Sequence, residues 1–247
     1  MADDPLRRLV ASDRDHACDG FGAARVCVKL VAVAELPTRF GHFRIVAFRD
    51  ARDGKEHVAM VHGEVAGAEE VPVRIHSECL TGDVMGSLRC DCRDQLVEGL
   101  AAVRRHDRGL LLYLRQAGSD TGLVDRLRAY DLQDRGLVTA EPGPALRFRD
   151  DERDHALAAH MLRSLEVRSI RLVTSDPAQV RRLTQHGIAV VDHIAHVLAP
   201  NEFNRRRDAP AVRPDRHRDA RGGGRLPEQG DPPVVAAWPS PDGDEPA

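Results

Sequence analysis

The sequence predicts an α/β fold in which N-terminal antiparallel strands are followed by a mixed sheet flanked by helices. Three observations predict it. Up to His76 the chain carries short runs rich in β-branched residues, separated by turn residues and without helical period. From Arg93 onward, stretches with helical spacing alternate with short continuous apolar runs, the pattern of a partly parallel sheet with flanking helices. Hydrophobic residues make up 42% of 247 residues but aromatics only 4%, so a sizeable core must rest on Leu, Val, Ala and Ile.

Residues 1–24 are charged and aperiodic, which reads as a flexible leader. VCVKLVAVAEL (26–36) is strand-like, Pro37 and Gly41 frame a turn, and HFRIVAF (42–48) alternates as a second strand. HVAMVHG (57–63) and VPVRIH (71–76) follow, and the four strands read as an antiparallel meander. RDQLVEGLAAVRRH (93–106) is a helix with Leu96, Val97, Leu100 and Val103 at helical spacing. GLLLYL (109–114) has the look of a buried strand. LVDRLRAYDLQDRG (123–136) places Leu123, Leu127 and Tyr130 on one helical face and ends at Gly136, a C-cap. After a Pro-containing loop (138–150), ERDHALAAHMLRSLEV (152–167) is an amphipathic helix. SIRLVTS (169–175), a helix from Pro177 and IAVVDHI (188–194) form strand–helix–strand. Residues 25–208 are thus expected to be one domain, and 209–247, rich in Pro, Gly and charge, a disordered tail.

A net charge of -3 gives no global pull toward nucleic acid or an anionic membrane. The start of the chain has no apolar core of a signal peptide, and no apolar run approaches the ~18 residues of a membrane span. A cytoplasmic protein is expected, with its cysteines reduced. Only Lys29 and Lys55 are lysines among 36 basic residues, a bias toward arginine that fits a GC-rich genome.

Cysteine usage carries the chemistry. Cys79, Cys90 and Cys92 are spaced C-x10-C-x-C, preceded by the polar run Arg74-Ile75-His76-Ser77-Glu78 and followed by Gln95. Three soft ligands among polar groups suggest a thiolate-bound metal with an open position, suited to metal-assisted hydrolysis. A structural metal with His76 or Glu78 as fourth ligand is the alternative. Cys18 and Cys27 lie outside this cluster and read as structural or incidental.

RIHSECLTGD, SLRCDC with Gln95, RQAGSDTGL, LRAYDLQDRG, DDERDHAL and RLVTSDP occur in that order, and together they resemble GTP cyclohydrolase II over roughly residues 26–205. The resemblance implies a GTP cyclohydrolase II-like fold, GTP as substrate, a zinc ion on Cys79, Cys90 and Cys92, magnesium on the phosphates and a homodimer. The products it implies are formate, pyrophosphate and a diaminopyrimidinone ribosyl phosphate. It places Arg74, Ile75, His76, Ser77, Glu78, Gln95, Gly118, Thr139 and Thr174 in substrate binding. It also places Tyr130 in the active site, where periodicity alone would make it core, with Asp151 as proton acceptor and Arg153 as nucleophile. A guanidinium with a pKa above ~12 is a poor nucleophile, so a clamp on the transition-state phosphate is the simpler role for Arg153.

The chain departs from the family pattern in clustered places. RQEGRGIGL becomes RQAGSDTGL, so Ala117 and Ser119 replace a glutamate and an arginine. LLTNNPKK becomes LVTSDPAQ, with Gln179 for a phosphate-facing lysine, and an NNEHYL-like segment is reduced to NEFNRRR. Three readings follow: GTP cyclohydrolase II in riboflavin or a related pathway, a zinc hydrolase acting on another purine nucleotide or giving another product, and a non-catalytic zinc- and nucleotide-binding regulator.

Overall fold

The computed structural model describes residues 4–13, 16, 18, 20, 25–115, 123–135, 152–199 and 201–203, all within the unit Met1–Ala211. One seven-stranded sheet organises them. Its strands are β1 (Val28–Thr38), β2 (Gly41–Asp50), β3 (Glu56–His62), β4 (Val71–Ser77), β5 (Gly109–Leu114), β6 (Ile170–Val173) and β7 (Val190–Ile194). The helices are α1 (Pro5–Ser12), α2 (Cys92–Arg104), α3 (Leu123–Asp134), α4 (Glu152–Ser164) and α5 (Pro177–Gln185). The expected tail at 209–247 lies outside the described residues.

β1, β2 and β3 form the antiparallel meander. Gly41 begins β2 at φ +112°, a conformation open to glycine, and Thr38 closes the hairpin by donating from Oγ1 to Gly41 O (2.8 Å). β3 then pairs antiparallel with β5 rather than with β4. The expectation that residues 71–76 complete the meander is therefore corrected. β4 lies between β5 and β6 and runs parallel to both, giving the order β1-β2-β3-β5-β4-β6-β7. Burial explains its place: Val71 to His76 are all buried, as in a central strand covered on both faces.

Alternation along the strands divides the interior. Val73 and Ile75 of β4 and Leu110, Leu112 and Leu114 of β5 join Leu157, Met161 and Leu162 of α4 in the larger core. Leu111 of β5 and Phe43 of β2 pack with Leu100 and Val103 of α2 on the other side. Arg74 points to this α2 side, where Gly99 admits it: a Cβ on Gly99 would lie 2.9 Å from Arg74 Cγ.

The expected flexible leader is also corrected in part. Pro5–Ser12 is a helix, with Pro5 in its first turn and Asp4 as N-cap accepting from Leu6 N (3.0 Å). Asp4 also pairs with Arg44 of β2 (2.9 Å), and Leu6 is buried in the larger core. The helix is too short, with one fully buried residue, for its period to stand out. The helix at 123–136 is found as α3, but its apolar face is not covered, since Leu123, Val124 and Leu127 are exposed. Among the described residues no helix is long and apolar enough to cross a membrane.

The docking of α1 is testable. Leu6→Ala should cost roughly 2–4 kcal/mol and lower the Tm by roughly 5–10 °C in thermal unfolding. An unchanged Tm would restore the flexible leader.

Candidate metal centre

The centre is built where β4 and β5 end. Glu78 N donates to Leu114 O (2.8 Å), which ties the chain leaving β4 to the last residue of β5. Cys79 follows and caps a π-helical turn, Leu80–Val84, a local geometry common at functional sites. Cys90 and Cys92 return at the start of α2.

The Sγ atoms of Cys79, Cys90 and Cys92 lie within 4.8 Å of one another, with Cys79 and Cys90 at 3.7 Å. Gly82 makes this convergence possible. A Cβ there would sit 2.7 Å from Cys90 Sγ, 2.9 Å from Cys92 Cβ and 3.2 Å from Cys79 Sγ. Its amide instead points at Cys79 Sγ (3.4 Å). Hydrogen bonds from the Cys90 and Cys92 thiols hold the Cys79 thiol far below its ordinary range, and the same contacts push Cys90 and Cys92 up. Each thiolate therefore opposes ionisation of the other two. Three thiolates this close are stable together only around a cation, so the donor set fits a thiophilic divalent metal.

Asp83 fixes the turn. Its buried carboxylate accepts from Cys79 N (2.8 Å), from Tyr113 OH (2.9 Å) and faces His76 Nε2 (3.1 Å to each oxygen). His76 stacks on Tyr113 with ring centroids 5.5 Å apart. Burial and the Asp83 carboxylate push the Tyr113 phenol up, so it remains a proton donor. Arg93 clamps the end of the turn through Asp83 O (2.9 Å).

Arg74 supports the other anchor. Its Nη1 donates to Val173 O (3.0 Å) at the end of β6 and its Nη2 to Gln95 Oε1 (2.8 Å); Nε is buried without a partner. Gln95 in turn donates to Asp91 (2.7 Å), the residue preceding Cys92 and α2. Burial lowers the Arg74 pKa to about 10, against the pull of Asp91 and Cys92.

Tyr130 comes from α3. Its hydroxyl is 3.4 Å from Thr81 Oγ1, which is 3.7 Å from Cys79 Sγ. Arg126, one turn earlier, donates to Cys79 Sγ (2.6 Å). Arg89 lies over the Tyr130 ring, 4.9 Å from its centroid, and bonds Asp134 (2.5 Å).

The sequence-expected residues divide accordingly. Cys79, Cys90, Cys92, His76, Tyr130, Arg74 and Gln95 are brought to one region. Ile75 belongs to the larger core, on the opposite face of β4. Ser77 ends β4 and Glu78 follows it, both half-buried and directly before Cys79 in the chain. Thr174 follows β6 and is buried, donating to Gln179 Oε1 (2.8 Å) and accepting from Asp176 N (3.0 Å). Gly118, Thr139 and Asp151 lie outside the described residues, as do Ala117 and Ser119, and of Arg153 only its place in the first turn of α4 is described. The sequence reading passed over Thr81, Gly82, Asp83, Tyr113, Arg89 and Arg126. The first three stand between the metal cysteines within the same motif, and Arg126 is four residues before Tyr130 on one helical face.

Fold and site define an α/β protein with three clustered cysteines, able to hold a metal ion, at the carboxyl ends of parallel strands. The model of the family described as GTP cyclohydrolase II matches residues 29–195, and the chain belongs to that family. It is 43% identical over 177 residues to GTP cyclohydrolase-2 of Picrophilus torridus, covering 72% of this chain and 92% of that one. GTP cyclohydrolase-2 of Klebsiella pneumoniae is 45% identical over 177 residues (72% and 88% covered). That of Pseudomonas paraeruginosa is 46% identical over 179 residues (72% and 87% covered). A solved structure of a two-domain 3,4-dihydroxy-2-butanone 4-phosphate synthase from A. baumannii superposes with a TM-score of 0.44 at 15% identity, over 78% of this chain and 44% of that one, too slight a likeness to bear on the site.

Gly82→Ala should drive the sulfurs apart and weaken metal binding by about tenfold or more, read by competition with a chromogenic chelator. Wild-type affinity in that variant would mean that the close approach of Gly82 does not shape the centre.

Proposed function

We propose that this chain opens the imidazole ring of GTP by hydrolysis. The reaction releases formate and pyrophosphate and leaves 2,5-diamino-6-(5-phosphoribosylamino)pyrimidin-4-one, in riboflavin synthesis or a related pathway. The observation that carries the reading is the convergence of Cys79, Cys90 and Cys92 in a member of this family. Cys79, Cys90 and Cys92 would hold a zinc ion, which would supply a Lewis acid and lower the pKa of a bound water.

The chain's own residues do the rest. Tyr130, reaching the cysteines through Thr81, is placed to hold or pass a proton. Arg126 favours the thiolate of Cys79, and Arg89 over the ring fixes the orientation of Tyr130. Asp83 and Arg74 act by positioning, since their polar atoms are engaged with the turn and with the start of α2. Asp151 accepts a proton and Arg153 clamps the phosphates, with magnesium neutralising them. The uncovered Leu123, Val124 and Leu127 of α3, with Val84, Met85 and Leu88 near the sulfurs, support a homodimer. The reaction belongs in the cytoplasm, where the thiols stay reduced.

A second reading, turnover of a different purine nucleotide, is favoured by Gln179. Where the family pattern has a lysine for phosphate, its amide is bonded to Thr174. Each lost charged contact is worth roughly 1.5–3 kcal/mol, or about 10- to 100-fold in binding.

Purified protein loaded with zinc should convert GTP to formate and pyrophosphate in equal amounts, with loss of purine absorbance. Turnover of another purine nucleotide alone would favour the second reading, and no turnover at full zinc occupancy would overturn both. Cys92→Ser should lose metal and ring opening together. Ala117→Glu with Ser119→Arg should raise kcat/KM for GTP by about 10-fold or more; an unchanged value would mean that this loop does not limit GTP use.

A further inference from the structure

A second group of metal-ligating side chains lies on the α4 side of the sheet. His16, Cys18, Cys27 and His160 offer two sulfurs and two ring nitrogens, all within 4.8 Å of one another. They come from three places: the segment after α1, the residue before β1 and the middle of α4. Three of the four precede residues 29–195, the span matched by the family.

Both rings are already turned for ligation. His16 Nδ1 is held by Asp13 Oδ1 (2.6 Å), while its Nε2 is buried without a partner. His160 Nδ1 is held by Ser164 Oγ (3.2 Å), while its Nε2 faces Cys18 Sγ (3.3 Å). A metal-binding histidine is commonly oriented in this way, one nitrogen on an outer oxygen and the other on the ion. Asp13 is itself fixed, accepting from Leu30 N through Oδ2 (2.6 Å). A tetrahedron with bonds of roughly 2.0–2.3 Å has edges of roughly 3.3–3.8 Å, which the span of the four donors accommodates.

We infer that His16, Cys18, Cys27 and His160 form a second, structural zinc site that staples the N-terminal segment to α4. Two sulfurs and two imidazoles complete a four-coordinate shell, so this site closes without a water, unlike the three-cysteine centre. Binding deprotonates the two thiols and releases two protons. It joins α1 and β1 to the helix that begins beside Asp151 and carries Arg153 in its first turn.

The test counts metal rather than activity. Full-length protein, reduced, loaded with zinc and desalted, should hold two zinc ions per chain by mass spectrometry. Cys18→Ser with Cys27→Ser should hold one, and so should Cys79→Ser with Cys90→Ser and Cys92→Ser. Loaded with cobalt, that triple variant should show the visible bands of a tetrahedral site with two thiolates. Where the triple variant does not fold, His160→Ala gives the reading, falling from two zinc ions to one. Wild type with one zinc that the Cys18/Cys27 variant loses would uphold this site and count against the three-cysteine centre. Wild type with one zinc that the same variant retains would overturn the inference.

Discussion

The three-cysteine centre depends on one buried carboxylate. Asp83 sits inside the π-helical turn it stabilises, and three donors converge on it, from the Cys79 backbone, the Tyr113 hydroxyl and the His76 ring. A buried carboxylate without such partners would be costly, so the turn is stable only in the geometry that supplies them. That geometry places Gly82 against the sulfurs and Cys79 at the mouth of the turn. The stacked His76 and Tyr113 come from neighbouring parallel strands in register. The sheet therefore dictates where the first thiol stands.

The remaining thiols are fixed from the helix side. Arg74 leaves β4 on the face covered by α2, where Gly99 allows the two to touch. It reaches the last residue of β6 and, through Gln95, Asp91 just before Cys92. Burial of the guanidinium is unfavourable by itself, as its lowered pKa shows, and the hydrogen bonds to Val173 and Gln95 offset part of that cost. Arg74 thus braces β4 against β6 and the start of α2.

Much of this was legible in the sequence, for identifiable reasons. Strand and helix positions follow from periodicity, which local chemistry sets, and the clustering of the three cysteines follows from spacing within one motif. The partner of β4 was not legible, because VPVRIH reads alike in a meander and in a central parallel strand; only the insertion of β5 beside it decides. The direction of His76 and Ile75 also required the sheet, since alternation separates two faces without saying which is the site. Cys18 and Cys27 looked incidental because Cys27 and His160 stand apart in sequence from His16 and Cys18. His160 is brought near only by α4 packing against the sheet, and His16 is set by its bond to Asp13.

Gln179 shows how one exchange alters two positions of the candidate site. Thr174 has one hydroxyl proton to donate, and here it goes to Gln179 Oε1 while Asp176 N occupies the oxygen. An ammonium at residue 179 has donors only, so it would repel rather than accept that proton and would leave it for another acceptor, such as a phosphate oxygen. Glutamine therefore withdraws a positive charge and engages the neighbouring hydroxyl in the same step. The loop between β6 and α5 satisfies itself, held further by the Asp176 cap on Ala178 N (2.8 Å). The three cysteines are positioned from β4 and α2 rather than from this loop.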